Sequence, residues 1–304
     1  MPAPAISVVI PTSGKPERLI LALHSLIAQT IGTARFESIV VADGAPAGTD
    51  RAVAAARAAG LPIQMLRTPA AGQASARNHG AAAARAAQLL FMDDDVLLSP
   101  DYLAETLALL GGGVRRVVRA PVYVLRYLAA FRDPERGLRY DGTVLAPGSS
   151  LATRLVTRRM VRENWPAIAR QCIHRNRFER LVSQTLAEGP ADEVWLGYSG
   201  SGVALGRRFF EEAGGYDSGF GLRWGAEAIE LGYRLMKLGA SFIEARGIFS
   251  AHMDHPRETA MASFSESFDY FFAKHRVPAI RRVEAKIRGG DRWPGRILSA
   301  TEQA

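Results

Sequence analysis

Three consecutive acidic residues follow an apolar run in the first third of the chain. Asp93, Asp94 and Asp95 come directly after Leu89-Leu90-Phe91-Met92. Like charges a few ångströms apart raise one another's pKa or require a counter-charge, which a divalent cation supplies. Because Asp93 and Asp95 are separated by one residue, both can face one Mg²⁺ or Mn²⁺ ion while Asp94 points elsewhere. The sequence favours this metal site over its alternative, a solvated acidic turn that caps a helix starting near Pro100.

The segments around these acids alternate in the manner of an α/β fold. Apolar runs predict strands at 6–10, 36–41, 63–66 and 88–92. Amphipathic runs predict helices at 16–30, 49–59 and 73–87. This alternation predicts a mostly parallel sheet with helices on both faces, in which ligands bind at the carboxyl ends of the strands. The loops that begin at Pro11, Asp43 and Asp93 are therefore expected to meet at one edge of the sheet.

The remainder of the chain is predicted to be less regular. Three glycines at 111–113 mark a break, and the arginine-rich segment 151–182 has the spacing of one or two basic amphipathic helices. After it we predict a helix at 225–238, a strand at 241–244 and a loop containing His252. A further helix at 259–275 and a polar tail complete the prediction.

The length and composition of the chain limit the classes of protein to which it can belong. The chain has 304 residues, of which 48% are hydrophobic, enough for a sizeable core in one large domain or two small ones. Its net charge of +8 favours anionic partners such as nucleotide phosphates, nucleic acid or an acidic membrane surface. Cys172 is the only cysteine, so an internal disulfide and a thiolate metal cluster are excluded. With neither a signal-peptide pattern nor a long apolar stretch, we expect a cytoplasmic protein that could contact the inner face of the membrane.

Two classes of enzyme carry an Asp-x-Asp pair at the end of a strand. In phosphatases of the haloacid-dehalogenase type the first Asp is a nucleophile on the first strand of the domain. In glycosyltransferases of the GT-A type the pair arrives later, and three predicted strands precede Asp93, which favours this second class. The glycines at 200, 202 and 206 do not match a dinucleotide fingerprint. We interpret Gly202 as a small residue that lets the backbone approach a sugar or an acceptor.

Five segments in order resemble glycosyltransferase family 2. They are Ser7-Val8-Val9-Ile10-Pro11-Thr12, Val40-Val41-Ala42-Asp43-Gly44, Gly72-Gln73-Ala74-Ser75-Ala76-Arg77-Asn78, Phe91-Met92-Asp93-Asp94-Asp95, and Gly214-Gly215-Tyr216-Asp217 followed by Trp224-Gly225-Ala226-Glu227. The resemblance covers about 5–110 and 195–255, and the order and spacing carry it rather than any single motif. It implies a GT-A-like, Rossmann-type, mostly parallel sheet flanked by helices. The basic segment, which the resemblance does not cover, is predicted to be a helical insertion.

The resemblance also implies a nucleotide-sugar site. Its residues would be Pro11, Thr12, Asp43, Gly72, Arg77, Asp93 and Asp94. Asp43 would accept a hydrogen bond from the base, typically uracil, and Arg77 would lie near the ribose and phosphates. From the residues alone, Asp43-Gly44 could also be a turn, although binding is favoured, and Arg77 could equally be a charge on a helix surface.

Asp93 and Asp95 would hold the Mn²⁺ or Mg²⁺ ion that bridges the diphosphate, with His252 as the third metal ligand. A neutral imidazole is a reasonable ligand for Mn²⁺, although His252 could also be a polar loop residue. His255 is the weaker candidate.

The acceptor side departs from the family pattern. Members usually carry Glu-Asp after the Trp-Gly pair, and that Asp often serves as the general base, whereas here Glu227 is followed by Ala228. Glu227, with Trp224 as an apolar neighbour, is our candidate for the base, and both residues together with Gly202 are assigned to acceptor binding. The alternative roles for Glu227 are helix capping and binding of an acceptor hydroxyl.

The sequence thus predicts a metal-dependent, inverting glycosyltransferase that uses a UDP-sugar. Its acceptor would be a glycan, a lipid-linked molecule or a small molecule, with peripheral membrane contact left open and nucleic acid not expected. Residues 1–110 would form the donor-binding half, 111–280 the acceptor-binding half of the same domain, and 281–304 a C-terminal tail. A non-catalytic sugar-nucleotide-binding scaffold and a nucleotidyltransferase are the alternatives, and the missing Asp leaves a retaining outcome open.

Overall fold

The computed structural model describes residues 3–111, 113–146, 148–256 and 260–289. The strands are β1 (Ile6–Thr12), β2 (Phe36–Asp43), β3 (Ile63–Thr68), β4 (Gln88–Phe91), β5 (Val96–Leu98), β6 (Arg116–Arg119), β7 (Val122–Leu125), β8 (Phe131–Asp133), β9 (Leu138–Arg139), β10 (Val203–Gly206), β11 (Ser241–Glu244) and β12 (Ser250–Met253). The helices are α1 (Pro16–Ile27), α2 (Thr49–Ala58), α3 (Gln73–Ala83), α4 (Tyr102–Leu110), α5 (Arg158–Glu163), α6 (Trp165–Ala169), α7 (Arg177–Glu188), α8 (Arg207–Glu212), α9 (Glu227–Lys237), α10 (Ala260–His275) and α11 (Pro278–Arg288).

The central sheet has the strand order β11-β6-β10-β4-β1-β2-β3. Strands β1 to β4 run parallel, and β11 is parallel to β6, whereas β10 is antiparallel to both of its neighbours. Three of its strands come from beyond residue 111, so a single sheet spans both predicted halves of the chain. The predicted α/β class with a mostly parallel sheet is confirmed.

Helices cover both faces of this sheet because successive residues of each buried strand point to opposite sides. In β1, Val8 and Ile10 pack in one core with residues of α1 such as Leu23. Val9, between them, packs in the other core with residues of α3 and α9 such as Leu231. Strand β1 is therefore buried on both faces of the sheet. The polar residues that follow it lie at its carboxyl end, at the edge of the sheet.

A second, three-stranded sheet has the order β5-β12-β7. His252 in β12 pairs in antiparallel register with Val96 in β5, which begins immediately after Asp95. This register places His252 beside the acidic cluster. The predicted loop at His252 is wrong, because the short segment Ser250–Met253 gains strand partners on both sides, β5 and β7.

The basic segment forms three helices, α5 to α7, instead of the one or two predicted. Several of its arginines are paired within the chain, since Arg158 Nε lies 2.7 Å from Glu135 and Arg159 Nε lies 3.2 Å from Glu163. Part of the positive charge is therefore neutralised internally. None of the helices in the described ranges has the length and apolar character that a membrane crossing needs.

The predicted C-terminal tail is structured in its first part. Residues 281–288 belong to α11, whose residues Ile280, Val283 and Ile287 are buried. This apolar face packs in the same core as Phe268 of α10. The helical spacing of the three apolar residues explains why this part folds back onto the domain. The rest of the predicted tail, from residue 290, lies outside the described residues.

Candidate active site

The ends of β1 and β4 bring the first polar side chains together. Val9 pairs with Phe91 in parallel register, so Thr12 and Asp94, each three residues further along, lie side by side. The Thr12 hydroxyl donates a hydrogen bond to Asp94 Oδ2 at 2.7 Å. As expected for a parallel sheet, the loops after these strands meet at one edge.

The three aspartates have different partners. Arg77 Nη2 lies 2.8 Å from Asp93 Oδ1, and the Asp93 side chain keeps 29% of its surface exposed. Asp94 and Asp95 are buried and share the ammonium group of Lys15, whose Nζ lies 3.0 Å from Asp94 Oδ1. We expected Asp93 and Asp95 to face one cation and Asp94 to point away, whereas Asp94 and Asp95 share Lys15 and Asp93 faces Arg77. The reason for the difference is that the chain turns after β4, so the side chains no longer alternate as they do in an extended strand.

Lys15 dominates the electrostatics of the acidic cluster. Burial alone would lower the pKa of Lys15, but Asp94 and Asp95 outweigh it and raise that pKa above its usual range. Burial likewise favours a raised pKa for Asp95, yet Lys15 and His252 hold it well below the usual range. Burial raises the pKa of Asp94, against the effect of Lys15. Because Lys15 and Arg77 already provide counter-charge, the negative charge of the cluster does not by itself demand a divalent cation.

A carboxylate and two imidazoles nevertheless converge at this edge. His255 Nε2 lies 3.1 Å from Asp95 Oδ2, and His252 Nε2 lies 3.6 Å from Asp95 Oδ1. One potential ligand atom from each of these residues lies within 4.8 Å of the others. An oxygen and two imidazole nitrogens form a donor set that fits a transition-metal ion such as Mn²⁺. His255, the weaker candidate in the sequence, thus joins Asp95 and His252, whereas Asp93 faces Arg77.

Arg77 is a buried bridge, with its side chain 2% exposed. Its Nη1 lies 3.2 Å from Glu227 Oε1, its Nη2 contacts Asp93, and its guanidinium lies over the ring of Tyr216, 5.2 Å from the centroid. The alternative of a charge on the helix surface is therefore wrong. Arg77 instead joins the acidic cluster to the beginning of α9.

Glu227 is the first residue of α9 and is 5% exposed. Its Oε2 accepts a hydrogen bond from the backbone N–H of Gly225 at 2.9 Å, and its Oε1 faces Arg77. A carboxylate at the beginning of a helix is favoured by the helix dipole. The apolar setting expected beside Trp224 is therefore not found, and Glu227 sits in a polar, charge-paired position.

Ala228, which replaces the family's Asp, has little space around it. A Cβ built on Gly200 would lie 3.0 Å from the Ala228 Cβ. A longer side chain at 228 would therefore press on the backbone near Gly200. The neighbouring Ser201 accepts a hydrogen bond on its Oγ from the Asp93 N–H at 3.0 Å, so this glycine-serine turn supports the acidic cluster.

Gly202 lies against Tyr102 and not on the open side of the site. Its φ is +67°, its carbonyl accepts a 2.6 Å hydrogen bond from the Tyr102 hydroxyl, and a Cβ there would lie 2.5 Å from that hydroxyl. The small residue is needed for this internal contact, which corrects the expectation that it makes room for a sugar or an acceptor.

Asp43 organises the loop before α3. Its Oδ1 accepts a hydrogen bond from the Ala71 N–H and its Oδ2 accepts one from the Gly72 N–H, each at 2.9 Å. Gly72 has a φ of +91°, and a Cβ there would lie 1.9 Å from the carbonyl oxygen of Gly221. Gly72 is therefore required for close approach of the loop that leads to Trp224.

A cavity of about 710 Å³ opens beside these groups. Its wall includes Lys15, Asp93, Asp95, Trp224, His255, and Arg132 and Tyr140 from the region of β8 and β9. Its volume is in the usual range for sites that bind small molecules and cofactors. Pro11 and Thr12 are buried behind this wall, where Ser13 and Gly14 take the exposed positions. The sequence did not single out Lys15, Arg132 or Tyr140 as site residues, because only the fold brings Lys15 to Asp95 and all three residues to one cavity wall.

Comparison with known proteins bears on the family and the fold. The model of glycosyl transferase family 2 matches residues 7–126. Validoxylamine A glucosyltransferase from Streptomyces hygroscopicus subsp. jinggangensis (strain 5008) is 31% identical over 279 residues, which are 90% of this chain and 61% of that protein. Its counterpart from subsp. limoneus is 31% identical as well, with 57% of its length covered. The predicted resemblance to glycosyltransferase family 2 is confirmed over residues 7–126, and the chain spans about three fifths of the length of these curated relatives.

Solved structures show the same fold at low sequence identity. A mannosyltransferase from Pyrobaculum calidifontis, in complex with GDP-Man and Mn²⁺, has a TM-score of 0.59 at 15% identity and covers 95% of this chain and 71% of its own. Residues 1-349 of TarS from S. aureus, in complex with UDP-GlcNAc, give a TM-score of 0.56 at 13% identity, with coverages of 95% and 68%. The predicted GT-A fold is thereby confirmed.

Proposed function

We propose that this chain transfers a glycosyl group from a UDP-sugar to an acceptor hydroxyl, with inversion and with the help of a divalent metal ion. The observation that carries the proposal is the convergence of Asp95, His252 and His255 beside a cavity at the strand ends of a GT-A sheet, whose wall includes Asp95 and His255. The GDP-Man and UDP-GlcNAc complexes of the structural neighbours support a nucleotide-sugar donor. The name of the curated relatives, validoxylamine A glucosyltransferase, supports a glucosyl group.

The metal would be held by Asp95, His252 and His255. Two imidazoles favour a transition-metal ion such as Mn²⁺ over Mg²⁺, which prefers oxygen ligands and retained water. When bound, the ion would supply positive charge to the diphosphate leaving group. Asp93 keeps part of its carboxylate open to the cavity and is proposed to remain within reach of the donor.

The base of the nucleotide is proposed to bind at Asp43. Asp43 Oδ1 accepts hydrogen bonds from the Ala71 N–H and the Thr68 hydroxyl, whereas Oδ2 accepts one from the Gly72 N–H and has a second lone pair for a ligand. A carboxylate oxygen can accept a hydrogen bond from the imide N–H of uracil and also from the N–H donors of guanine. The choice of UDP over GDP therefore rests on the family resemblance. Gly72 would act indirectly, since its N–H fixes the Asp43 carboxylate.

The acceptor proton is proposed to pass to Glu227. Arg77 holds the Glu227 carboxylate in place and also contacts Asp93, which faces the cavity. Asp93 is therefore the alternative base. Trp224, half-buried on the cavity wall, offers an apolar face against which an acceptor ring can pack.

The proposal is tested with a panel of UDP- and GDP-sugars in the presence of Mn²⁺, with nucleotide release and product masses as the readout. We expect turnover by the unaltered chain and its loss in Asp95→Asn, whereas Asp101→Asn, at an exposed position, serves as the control and keeps full activity. The anomeric configuration of the product, read by NMR, tests inversion. Nucleotide binding without turnover of any sugar would support the non-catalytic scaffold instead.

A further inference from the structure

The ammonium group of Lys15 lies against two of the three proposed metal ligands. Its Nζ is paired with Asp95, lies 3.0 Å from Asp94 Oδ1 and lies 3.2 Å from His255 Nε2. Asp95 and His255 are two of the three proposed metal ligands. Lys15 therefore holds the same oxygen and nitrogen atoms that a metal ion would need.

An ammonium group and a divalent cation cannot both occupy this space. At separations of 3 to 4 Å, like charges repel strongly at a buried site, where the effective dielectric constant is well below that of water. The atoms in contact with Lys15 would also be shared between two cations. Binding of a metal ion to Asp95, His252 and His255 therefore requires the Lys15 side chain to move away.

The chain around Lys15 permits that movement. Lys15 lies in the loop between β1 and α1, on the wall of the cavity, and 27% of its side-chain surface is exposed. Its long aliphatic stem can turn without a change in the backbone. Ser13 and Gly14, which precede it, are exposed on the same wall, so a displaced ammonium group stays within the cavity.

We infer that Lys15 is an internal counter-ion that gives up Asp95 and His255 to the metal ion and then binds the diphosphate of the donor. This inference rests on the proposed function. It makes Lys15 a donor-binding residue and couples the binding of the metal ion to the binding of the nucleotide. The metal ion alone competes with Lys15, whereas nucleotide and metal together give the displaced ammonium group a new anionic partner, so each strengthens the binding of the other.

The inference is tested by titrating the full chain with Mn²⁺ and measuring the free ion by electron paramagnetic resonance, without and with saturating UDP. Lys15→Met is expected to bind Mn²⁺ alone about tenfold more tightly than the unaltered chain, because the competing cation is gone. UDP is expected to strengthen Mn²⁺ binding by a factor about tenfold larger in the unaltered chain than in the variant. Lys237→Met, which removes an exposed lysine at the end of α9, is the matched control and should change neither value.

Lys15→Gln is the second variant, because its amide can still donate a hydrogen bond to Asp94 if the loss of the ammonium group in Lys15→Met prevents folding. Equal or weaker Mn²⁺ binding by the neutral variants would overturn the role of Lys15, even in a chain that turns over nucleotide sugars. Tighter Mn²⁺ binding in a chain that consumes no nucleotide sugar would support Lys15 as a competing counter-ion while refuting the glycosyltransferase proposal. Absence of Mn²⁺ binding in all variants with UDP would overturn the inference together with the metal site.

Discussion

Glu227 and Asp93 bind the same guanidinium group, that of Arg77. One carboxylate begins α9 and the other follows β4, so two segments that are distant in the chain are held at one point. Arg77 is buried, and removing it would leave both acids without their shared partner, a costly arrangement for buried charge. The relationship joins Glu227, proposed to act on the acceptor, to Asp93, proposed to lie near the donor, and it guides the first prediction.

Glu227→Gln should lower kcat for consumption of the donor by about 100-fold, because the amide cannot accept the proton of the attacking hydroxyl. Donor KM should stay nearly constant, since Glu227 is proposed to act on the acceptor and its carboxylate is held by Arg77 and the Gly225 N–H. The measurement is the rate of nucleotide release under saturating donor. Glu212→Gln, which alters an exposed acid paired with Arg115, is the control. A kcat close to that of the unaltered chain, with a large loss in Asp93→Asn, would instead identify Asp93 as the base.

His252→Ala and His255→Ala should each weaken Mn²⁺ binding, because each removes one of three proposed ligands. The loss should exceed the roughly 10–100-fold that an outer-shell substitution costs. Calorimetry in the presence of UDP measures it, with the exposed His174→Ala as the matched control. If His255→Ala binds the ion as tightly as the unaltered chain while His252→Ala does not, His255 serves Lys15 and Asp95 instead of the metal.

Gly72→Ala should destabilise the chain far more than Gly60→Ala does. Both glycines have a positive φ, +91° and +95°, but a Cβ at Gly60 meets nothing within 4 Å, whereas one at Gly72 meets the Gly221 carbonyl oxygen. We expect a cost of about 1 kcal/mol at Gly60 from backbone conformation alone, and about 3 kcal/mol at Gly72. Urea unfolding measures both values. Equal costs would show that the loop at Gly221 yields freely and that Gly72 has no role in the close approach.

His24 should make the stability of the fold depend on pH. Burial, together with the positive charges of Arg162 and Arg158, lowers the pKa of His24 to about 4 from 6.5. Between these pH values the unfolded chain takes up a proton that the folded chain refuses, so the free energy of unfolding falls as the pH falls. The expected loss is about 3 kcal/mol, complete near pH 4 and absent above pH 7.

His24→Leu should remove this part of the pH dependence, and His79→Leu, at an exposed position, should leave it unchanged. Urea unfolding at several pH values between 7 and 4.5 provides the comparison. The same slope in His24→Leu as in the unaltered chain would assign the pH dependence to other groups.

Much of the sheet could be predicted because its strands are apolar on both faces and are followed by polar turns. The ends of elements were harder to predict where a distant residue sets them. Helix α3 was expected to reach residue 87 but ends at Ala83, beyond which the Arg85 N–H donates a 2.6 Å hydrogen bond to Glu37. That partner lies at the beginning of β2, and no local pattern around Ala83 reveals it.

The ion pairs of the site could not be predicted from the sequence either, because they too depend on residues that are distant in the chain. Asp93 and Asp95 were recognisable as a pair from their spacing, but which cation each one faces depends on packing between segments far apart in the chain. Lys15 belongs to the loop after β1. His252 belongs to the short strand β12, which the sequence did not predict because its polar residues break the apolar pattern of a buried strand. Only the register between β5 and β12 brings His252 to Asp95.

That register has a consequence for how the site is built during protein synthesis. The two histidines are translated long after the aspartates, so a growing chain carries its acidic triplet well before any imidazole has emerged from the ribosome. Lys15 and Arg77 precede the triplet and can accompany it from the start. Counter-charge for the acids is therefore made before either histidine, and the proposed metal site is complete only when residue 255 is in place.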